Sequence, residues 1–326
     1  MTDRLRRIAV LTGGAGNPAL NACIRAVVRM AIHHDLGVWG VREGYAGLLN
    51  GEFVELSSRS VSHIIDKGGT FLGASEGEAF AEQSELREAL RSLHEIGIGG
   101  LIVIGDNESL EGAHTLVEAG FPTVGIPADV ENDILGTTMA LGVDTALNTA
   151  LEAIDHLRDT AYSREQVFLV ETVGGTGYMA LMVGIASGAE MVCIPEIPFD
   201  IAEITRRVGD AYVRGKRYCI ITIAQGADPD AATIADYIEE HKEETGFGAR
   251  LSVLGYIQRG GAPSAKDRLL ATRLGAAAVD VLQAGKSGVM VGYVGGKIKI
   301  SPLSEVLEGK PEIEERYYKL AQTLAR

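Results

Sequence analysis

The sequence is poor in cysteine, in tryptophan and in long apolar runs. Only 3 of its 326 residues are cysteine and 1 is tryptophan. Cys23, Cys193 and Cys219 are scattered in apolar surroundings without the spacing of metal ligands, so we predict buried thiols in a reducing compartment. The pattern indicates neither a disulfide framework nor a metal site.

No run approaches the roughly 18 apolar residues that a membrane-spanning helix needs. The first apolar run, "IAVLTGG", is too short for the apolar region of a signal peptide, and we interpret it as the first strand. We therefore expect a soluble, cytoplasmic protein without a membrane partner.

Positive charge is also scarce. The chain has 30 Lys and Arg residues against 44 Asp and Glu residues, and its formal net charge is −14. This balance argues against nucleic acid as the main partner, because nucleic-acid sites need an excess of basic residues. Any phosphate site would have to be a local basic cluster.

Apolar sequence is abundant: 46% of the residues are hydrophobic, and the length suffices for two domains. Short apolar runs alternate with segments of helical spacing such as 18–33 and 144–159, and 314–326 has the pattern of a closing helix. This predicts an α/β protein with parallel sheets and ligands at the carboxyl ends of the strands. The predicted strands lie in "RIAVLTGG", "LGVWGVREG", "GLIVIGD", "TVGIPAD", "QVFLVETVGG", "MVCIPE" and "YCIITIAQG".

Three strand ends suggest phosphate chemistry. In "TGGAGNPALN" glycines lead into a helix whose N-terminus favours anions. The loop "PADVENDILG" gathers acids suited to a general base or to magnesium, although a solvated turn would look the same. In the third, arginines surround a glycine pair and form a plausible clamp for a sugar phosphate: Arg250, Arg259 and Arg268.

Taken in order, these segments resemble the bacterial ATP-dependent 6-phosphofructokinase family. The resemblance runs nearly end to end and rests on "IAVLT", "NACIRAVVR", "GYAGLL", "KGGTFLGAS", "GFPTVGIP", "NDILGTT", "DTALNTALEAIDHLRDTA", "SGAEMVCIPE" and "VLGYIQRGGAPSAKDRLLATRLGA". It implies two doubly wound, Rossmann-like domains with mainly parallel sheets. The larger, nucleotide-binding domain would be 1–142 and 258–308. The smaller domain, which binds sugar phosphate and forms the effector interface, would be 143–257 and 309–326.

The family transfers a phosphoryl group from MgATP to fructose 6-phosphate in glycolysis, but its nucleotide loops are altered in this sequence. Ala15 stands where a family glycine approaches ATP, and Glu76 replaces an arginine that reaches the transferred phosphate. Asn107 replaces the aspartate associated with magnesium, and Glu108 replaces a glycine that faces the phosphates. The resemblance thus implies a nucleotide site that has lost metal charge and gained repulsion.

The family's catalytic loop is altered as well. Its T-I-D-N-D motif becomes Asp-Val-Glu-Asn-Asp over 129–133, so that Glu131 holds the position of the base and Asp133 is unchanged. Displacing a base by about 1 Å can cost on the order of 100-fold in rate. On the sugar-phosphate side "VGGTG" is shortened and lacks an arginine, while Arg250 and Arg259 remain as candidate ligands of fructose 6-phosphate.

The regulatory site of the family, which binds ADP or phosphoenolpyruvate at subunit interfaces, has more of its residues in place. The matching positions are Arg25, Arg29, Arg158, Gly188, Glu190, Arg214, Lys216 and Arg217. A solvated set of surface charges is the alternative interpretation.

Two functional hypotheses follow. The first is a family member with little or no kinase activity, a pseudoenzyme, which binds ADP or phosphoenolpyruvate and modulates an active phosphofructokinase. It would assemble as a homotetramer or as a hetero-oligomer with the active protein. The alternative is an active kinase of fructose 6-phosphate with an atypical donor site. Pyrophosphate as the donor has weak support, because the lysine expected near the catalytic loop is absent from "PADVENDILG". No cofactor is certain, and Mg²⁺ is expected only with a bound nucleotide.

Overall fold

A computed structural model describes residues 5–77, 79–161 and 166–325. The chain forms two compact units, each built from two separate segments. The first unit runs to Thr145 and resumes over Arg259–Pro311, and the second consists of Ala146–Gln258 and the chain from Glu312 onward. The predicted divisions, after 142, 257 and 308, lie one to three residues from these boundaries. Which unit takes which ligand stays a prediction.

The first unit contains a sheet of seven strands with the order β11-β10-β5-β4-β1-β2-β3. The strands are β1 (Arg7–Thr12), β2 (Gly37–Val41), β3 (Phe53–Leu56), β4 (Gly100–Gly105), β5 (Thr123–Pro127), β10 (Val289–Val294) and β11 (Lys297–Pro302). Neighbouring strands are parallel except at the two edges, where β3 and β11 run antiparallel to their partners. The helices are α1 (Leu20–His33), α2 (Gly44–Asn50), α3 (Gln83–Ile96), α4 (Asn107–Glu118), α10 (Ala265–Gln283) and α11 (Leu303–Val306).

Both faces of this sheet are buried, because the central strands carry apolar residues on each side. β4 is buried along its whole length, and β1 is buried after its first residue. On one face α1 packs closely on α10, where a Cβ at Gly275 would lie 2.9 Å from the Cβ of Ala26. Only glycine allows the two helices to approach so closely.

The second unit has a parallel sheet of four strands with the order β7-β8-β6-β9. The strands are β6 (Gln166–Thr172), β7 (Met191–Cys193), β8 (Tyr218–Ala224) and β9 (Gly248–Val253). The helices are α5 (Val143–Ala161), α6 (Tyr178–Ser187), α7 (Ile201–Val213), α8 (Ala231–Glu240), α9 (Lys242–Thr245) and α12 (Glu315–Leu324), of which α5 begins within the first unit. The apolar core under α7 and α8 includes Val167, Ile221, Ile234 and Phe247.

The seven predicted strands are confirmed as β1, β2, β4, β5, β6, β7 and β8, and the predicted helices as α1, α5 and α12. The fold class is thereby confirmed. All three cysteines are free and buried, as predicted. Within the described parts of the chain, no helix is long and apolar enough to cross a membrane.

Candidate functional site

A cleft of about 540 Å³ opens in the first unit beside the loops that follow β1, β4 and β5. The strands are parallel and adjacent, so their carboxyl ends meet at one edge and bring the three loops together. The cleft is strongly acidic. Its carboxylates are Glu76, Asp106, Glu108, Asp129, Glu131 and Asp133, and its cations are Arg259 and Lys310.

The glycines after β1 use their amides to build the fold. The N–H of Gly13 donates to the carbonyl of Ile104 at 3.0 Å, and that of Gly14 donates to the carbonyl of Ser75 at 3.1 Å. A Cβ at Gly14 would lie 2.6 Å from Oδ2 of Asp106, and its φ of 91° also favours glycine. The loop is therefore glycine-rich because it packs on the β4 loop, and these two amides are not available to a phosphate.

The N-terminus of α4 already holds carboxylates of this chain. Asp106 caps the helix, because its Oδ1 accepts from the backbone N–H of Ser109 at 3.0 Å and from the Ser109 hydroxyl at 2.6 Å. Glu108 accepts from the backbone N–H of Gly77 at 3.1 Å through Oε2. A helix N-terminus attracts anions, but here the chain supplies the anions itself.

The acidic loop after β5 is held in a fixed conformation. Asn132 has a left-handed φ of 57°, which asparagine tolerates better than most residues. Its side chain donates to the carbonyl of Thr138 at 3.2 Å and accepts from the N–H of Ala140 at 2.8 Å. These bonds fix the two neighbouring acids, Glu131 and Asp133, at the cleft.

Asp129 and Asp133 interact directly in this loop. Burial raises the pKa of Asp129 well above its usual range, and the hydrogen bond and the negative charge of Asp133 raise it further. The backbone N–H of Glu131 donates to Oδ1 of Asp129 at 3.0 Å and opposes the shift. Burial and the neighbouring acid thus disfavour the ionised form of Asp129, which is the form that pairs with a metal ion.

Lys310 is the residue that sequence reasoning missed. It follows α11, and its ammonium contacts Oδ2 of Asp133 at 2.5 Å across 177 positions of sequence. The hydrogen bond with Asp133 raises the pKa of Lys310, and the charges of Glu131 and Asp129 add to the shift. No local sequence signal links a lysine in "LEGKPE" with the acidic loop.

The residues of the cleft do not fit the Mg²⁺ that the resemblance implies. Among the described residues, no group of three or more His, Cys, Asp or Glu side chains is arranged to hold a metal ion. Both oxygens of Asp133 are engaged, since Asn107 Nδ2 donates to Oδ1 at 3.0 Å and Lys310 donates to Oδ2. A Mg²⁺ ion at Asp133 would have to compete with an ammonium and an amide for the carboxylate oxygens.

The structure brings most of the predicted nucleotide-site and catalytic residues together. The cleft is lined by Ala15, Glu76, Asn107, Glu108, Glu131, Asp133 and Arg259. Arg250 is an exception: it lies on β9 of the second unit, where its Nη1 donates to the carbonyl of Ala249 at 2.7 Å.

The predicted regulatory residues are divided between the two units. Arg25 and Arg29 lie on α1 of the first unit. The second unit carries Arg158 on α5, Gly188 at the end of α6, Glu190 before β7, Arg214 at the end of α7, and Lys216 and Arg217 before β8.

Within the second unit, Glu190 and Arg214 line a cleft of about 550 Å³ together with Arg206, Arg207 and Asp210. Glu190 is held in place because it accepts from Lys216 Nζ at 3.2 Å and from the N–H of Ile220 at 2.5 Å. Sequence reasoning did not select Arg206 and Arg207, although both lie on α7 about two turns before Arg214.

The fold and the strand-end cleft define a doubly wound α/β protein of the class that binds ligands at the carboxyl ends of its strands. Residues 7–282 match the family model described as phosphofructokinase. The chain is 46% identical to ATP-dependent 6-phosphofructokinase 1 of Thermus thermophilus, with 98% of this chain and 100% of the relative covered. It is 44% identical to the ATP-dependent 6-phosphofructokinase of Bacillus subtilis, with the same coverage. The chain therefore belongs to the phosphofructokinase family.

Solved structures agree with this assignment. Phosphofructokinase from Saccharomyces cerevisiae superposes with a TM-score of 0.85 at 30% identity, covering 98% of this chain and 46% of the yeast chain. This chain thus spans less than half the length of the yeast protein. The pyrophosphate-dependent phosphofructokinase from Marinobacter aquaeolei gives a TM-score of 0.84 at 23% identity, covering 97% of this chain and 91% of the other, and shows the same fold.

Proposed function

We propose that this phosphofructokinase family member transfers phosphoryl groups from MgATP poorly or not at all. Its role in glycolysis would be to bind an anionic effector and to modulate an active phosphofructokinase. One observation carries the proposal: among the described residues, six acidic side chains and two cations line the cleft where the family motifs converge.

The charge of the cleft bears directly on catalysis. Phosphoryl transfer depends almost entirely on positioning and on neutralising the charge of the phosphates. Two unit charges of the same sign about 4 Å apart repel by roughly 1 to 4 kcal/mol, depending on how much water screens them. Glu76 and Glu108 both face the cleft, while Lys310 is already paired with Asp133. These acids therefore make the free energy of binding a polyphosphate in this cleft less favourable.

The second unit supports the effector part of the proposal. Arg206, Arg207 and Arg214 line one cleft, and arginine is the side chain best suited to phosphate and carboxylate groups. Arg206 already pairs with Asp210 at 3.4 Å and Arg207 with Glu203 at 3.1 Å, so an anion in this cleft would compete with these exposed acids. ADP or phosphoenolpyruvate would bind there. In a homotetramer, or in a hetero-oligomer with an active phosphofructokinase, such a ligand would act by binding one conformation of the assembly more tightly than the other.

A coupled assay with fructose 6-phosphate and MgATP tests the proposal. We expect no saturable turnover by the wild-type chain, with the Bacillus subtilis ATP-dependent 6-phosphofructokinase as the positive control. An Asp133→Asn variant, purified in the same way, controls for contaminating kinase. Turnover that saturates with both substrates and disappears in Asp133→Asn would sink the proposal.

The second candidate is an active 6-phosphofructokinase with an atypical donor site, and the comparisons favour it. Relatives at 44 to 46% identity over 98% of the chain are named ATP-dependent 6-phosphofructokinases. Glu131 and Asp133 line the cleft and could act as base and positioning acid. Lys310 supplies a lysine beside the acidic loop, so the objection to a pyrophosphate donor loses force. The assay with MgATP, together with the same assay with pyrophosphate in its place, with and without Mg²⁺, decides whether this candidate holds.

A further inference from the structure

We propose that the ammonium group of Lys310 serves as the built-in cation of the acidic cleft and keeps divalent metal ions from Asp133. This inference deepens the proposed function and concerns the same cleft. Its test needs no nucleotide, so the two can fail separately.

Asp133 is nearly buried, and both of its carboxylate oxygens accept hydrogen bonds. This side chain is 7% exposed, and each of its oxygens has a donor of its own. Oδ2 accepts from Lys310, and Oδ1 accepts from Asn107 Nδ2 at 3.0 Å. The same Nδ2 also lies 3.2 Å from the backbone carbonyl of Asp133, so both neighbours require the nitrogen of the amide to face them. A metal ion would therefore have to compete with these donors for a side chain that is nearly buried.

Two further acids, Asp129 and Glu131, act on the pair formed by Asp133 and Lys310. Asp129 is hydrogen-bonded to Asp133, and the charges of Asp129 and Glu131 act on Lys310. The ammonium thus lies against the carboxylate of Asp133 and near the charge of Glu131, and one or two carboxylates with waters are enough to bind a divalent cation such as Mg²⁺. The single positive charge of Lys310, at the end of a flexible side chain, takes the place of a metal ion and forms no coordination bonds.

Lys310 is much more exposed than the aspartate with which it pairs. Its side chain is 63% exposed and reaches the cleft from the loop after α11, whereas Asp133 is nearly buried. The hydrogen bond with Asp133, and not packing, holds the side chain of Lys310 in place. Removing the ammonium therefore frees Oδ2 of Asp133 while the acidic loop keeps its own bonds through Asn132.

The test is a titration of the full chain with Mn²⁺ alone, in which electron paramagnetic resonance measures the free ion. We expect weak binding by the wild-type chain and a gain in affinity of about tenfold or more in Lys310→Met, equivalent to about 1.4 kcal/mol or more. Lys310→Gln should show the same gain, and Lys310→Arg should stay close to wild type. Lys266→Met is the matched control, because Lys266 pairs with Asp144 at 3.4 Å in the same unit.

Thermal melts establish that each variant is folded, and Lys310→Gln replaces Lys310→Met if the latter does not fold. An unchanged Mn²⁺ affinity in the folded Lys310 variant, or an equal gain in Lys266→Met, would overturn the inference. Tight one-to-one Mn²⁺ binding by the wild-type chain would do the same. Turnover with MgATP, by contrast, would overturn the proposed function and leave the role of Lys310 to the Mn²⁺ titration.

Discussion

The two clefts of this chain have opposite charge and different places in the fold: the first follows the carboxyl ends of β1, β4 and β5, whereas the second lies beside α7 at the start of β7 and β8. The cleft of the first unit presents six carboxylates against Arg259 and Lys310. The cleft of the second unit presents Arg206, Arg207 and Arg214 against two acids, Glu190 and Asp210. Sites of opposite charge can occur on one fold, because the loops that line them contribute little to the core and can vary without changing the strands and helices.

Replacing two acids of the first cleft should reduce the difference between the clefts most, by raising the affinity of the first cleft for anions. In an Arg214→Ala background, which weakens the second cleft, we expect Glu76→Gln with Glu108→Gln to raise the affinity for inorganic tripolyphosphate by about tenfold or more. The reason is that both carboxylates face the cleft. Isothermal titration calorimetry measures the change.

The control for this variant is Glu88→Gln with Glu111→Gln, which changes the net charge equally at two exposed positions of α3 and α4. An equal gain in the control would mean that net charge, and not the cleft, governs the binding of polyphosphate.

A smaller effect is expected from Asp129→Asn, and it depends on pH. The pKa of Asp129 is raised in the folded chain, so the folded state holds the proton more tightly than the unfolded state does. The free energy of unfolding that this proton contributes is complete below the usual value of 3.8 and is lost as the pH rises through the folded pKa. Asparagine resembles the protonated acid, so the variant should melt at a higher temperature than the wild type at pH 7.

Near pH 3.5 the same variant should show no gain in melting temperature. Asp66→Asn, at an exposed position outside the cleft, serves as the control and should show no gain at either pH. A gain for Asp129→Asn that is equal at both pH values would contradict the assigned cause.

Much of the fold could be predicted because its central strands are apolar on both faces. The runs that became β1, β4, β5 and β8 are examples, since most of their residues are buried. Four strands were missed: β3, β9, β10 and β11. β11 is mostly exposed, and its polar residues give no apolar run. The turn between β10 and β11 contains Gly295 and Gly296, both with positive φ, which is a hairpin signal that could have identified the pair.

The candidate site could be predicted only as far as the family motifs reach. The positions of these motifs in the sequence identified Glu76, Asn107 and Glu108, and all three line one cleft in the structure. Lys310 could not be found this way, because its partner Asp133 lies 177 positions away and the contact exists only in the folded chain. Arg206 and Arg207 lie outside the motifs, so only the helical geometry of α7 relates them to Arg214.

We expect anionic ligands to bind in the second cleft and not in the first. The most direct test is to measure the affinity for ADP of two variants, Arg214→Ala in the second cleft and Arg259→Ala in the first. We predict that Arg214→Ala weakens ADP binding by about tenfold, as expected for the loss of a charged hydrogen-bond donor, and that Arg259→Ala leaves the affinity unchanged. ADP binding that is retained in Arg214→Ala and lost in Arg259→Ala would contradict the account.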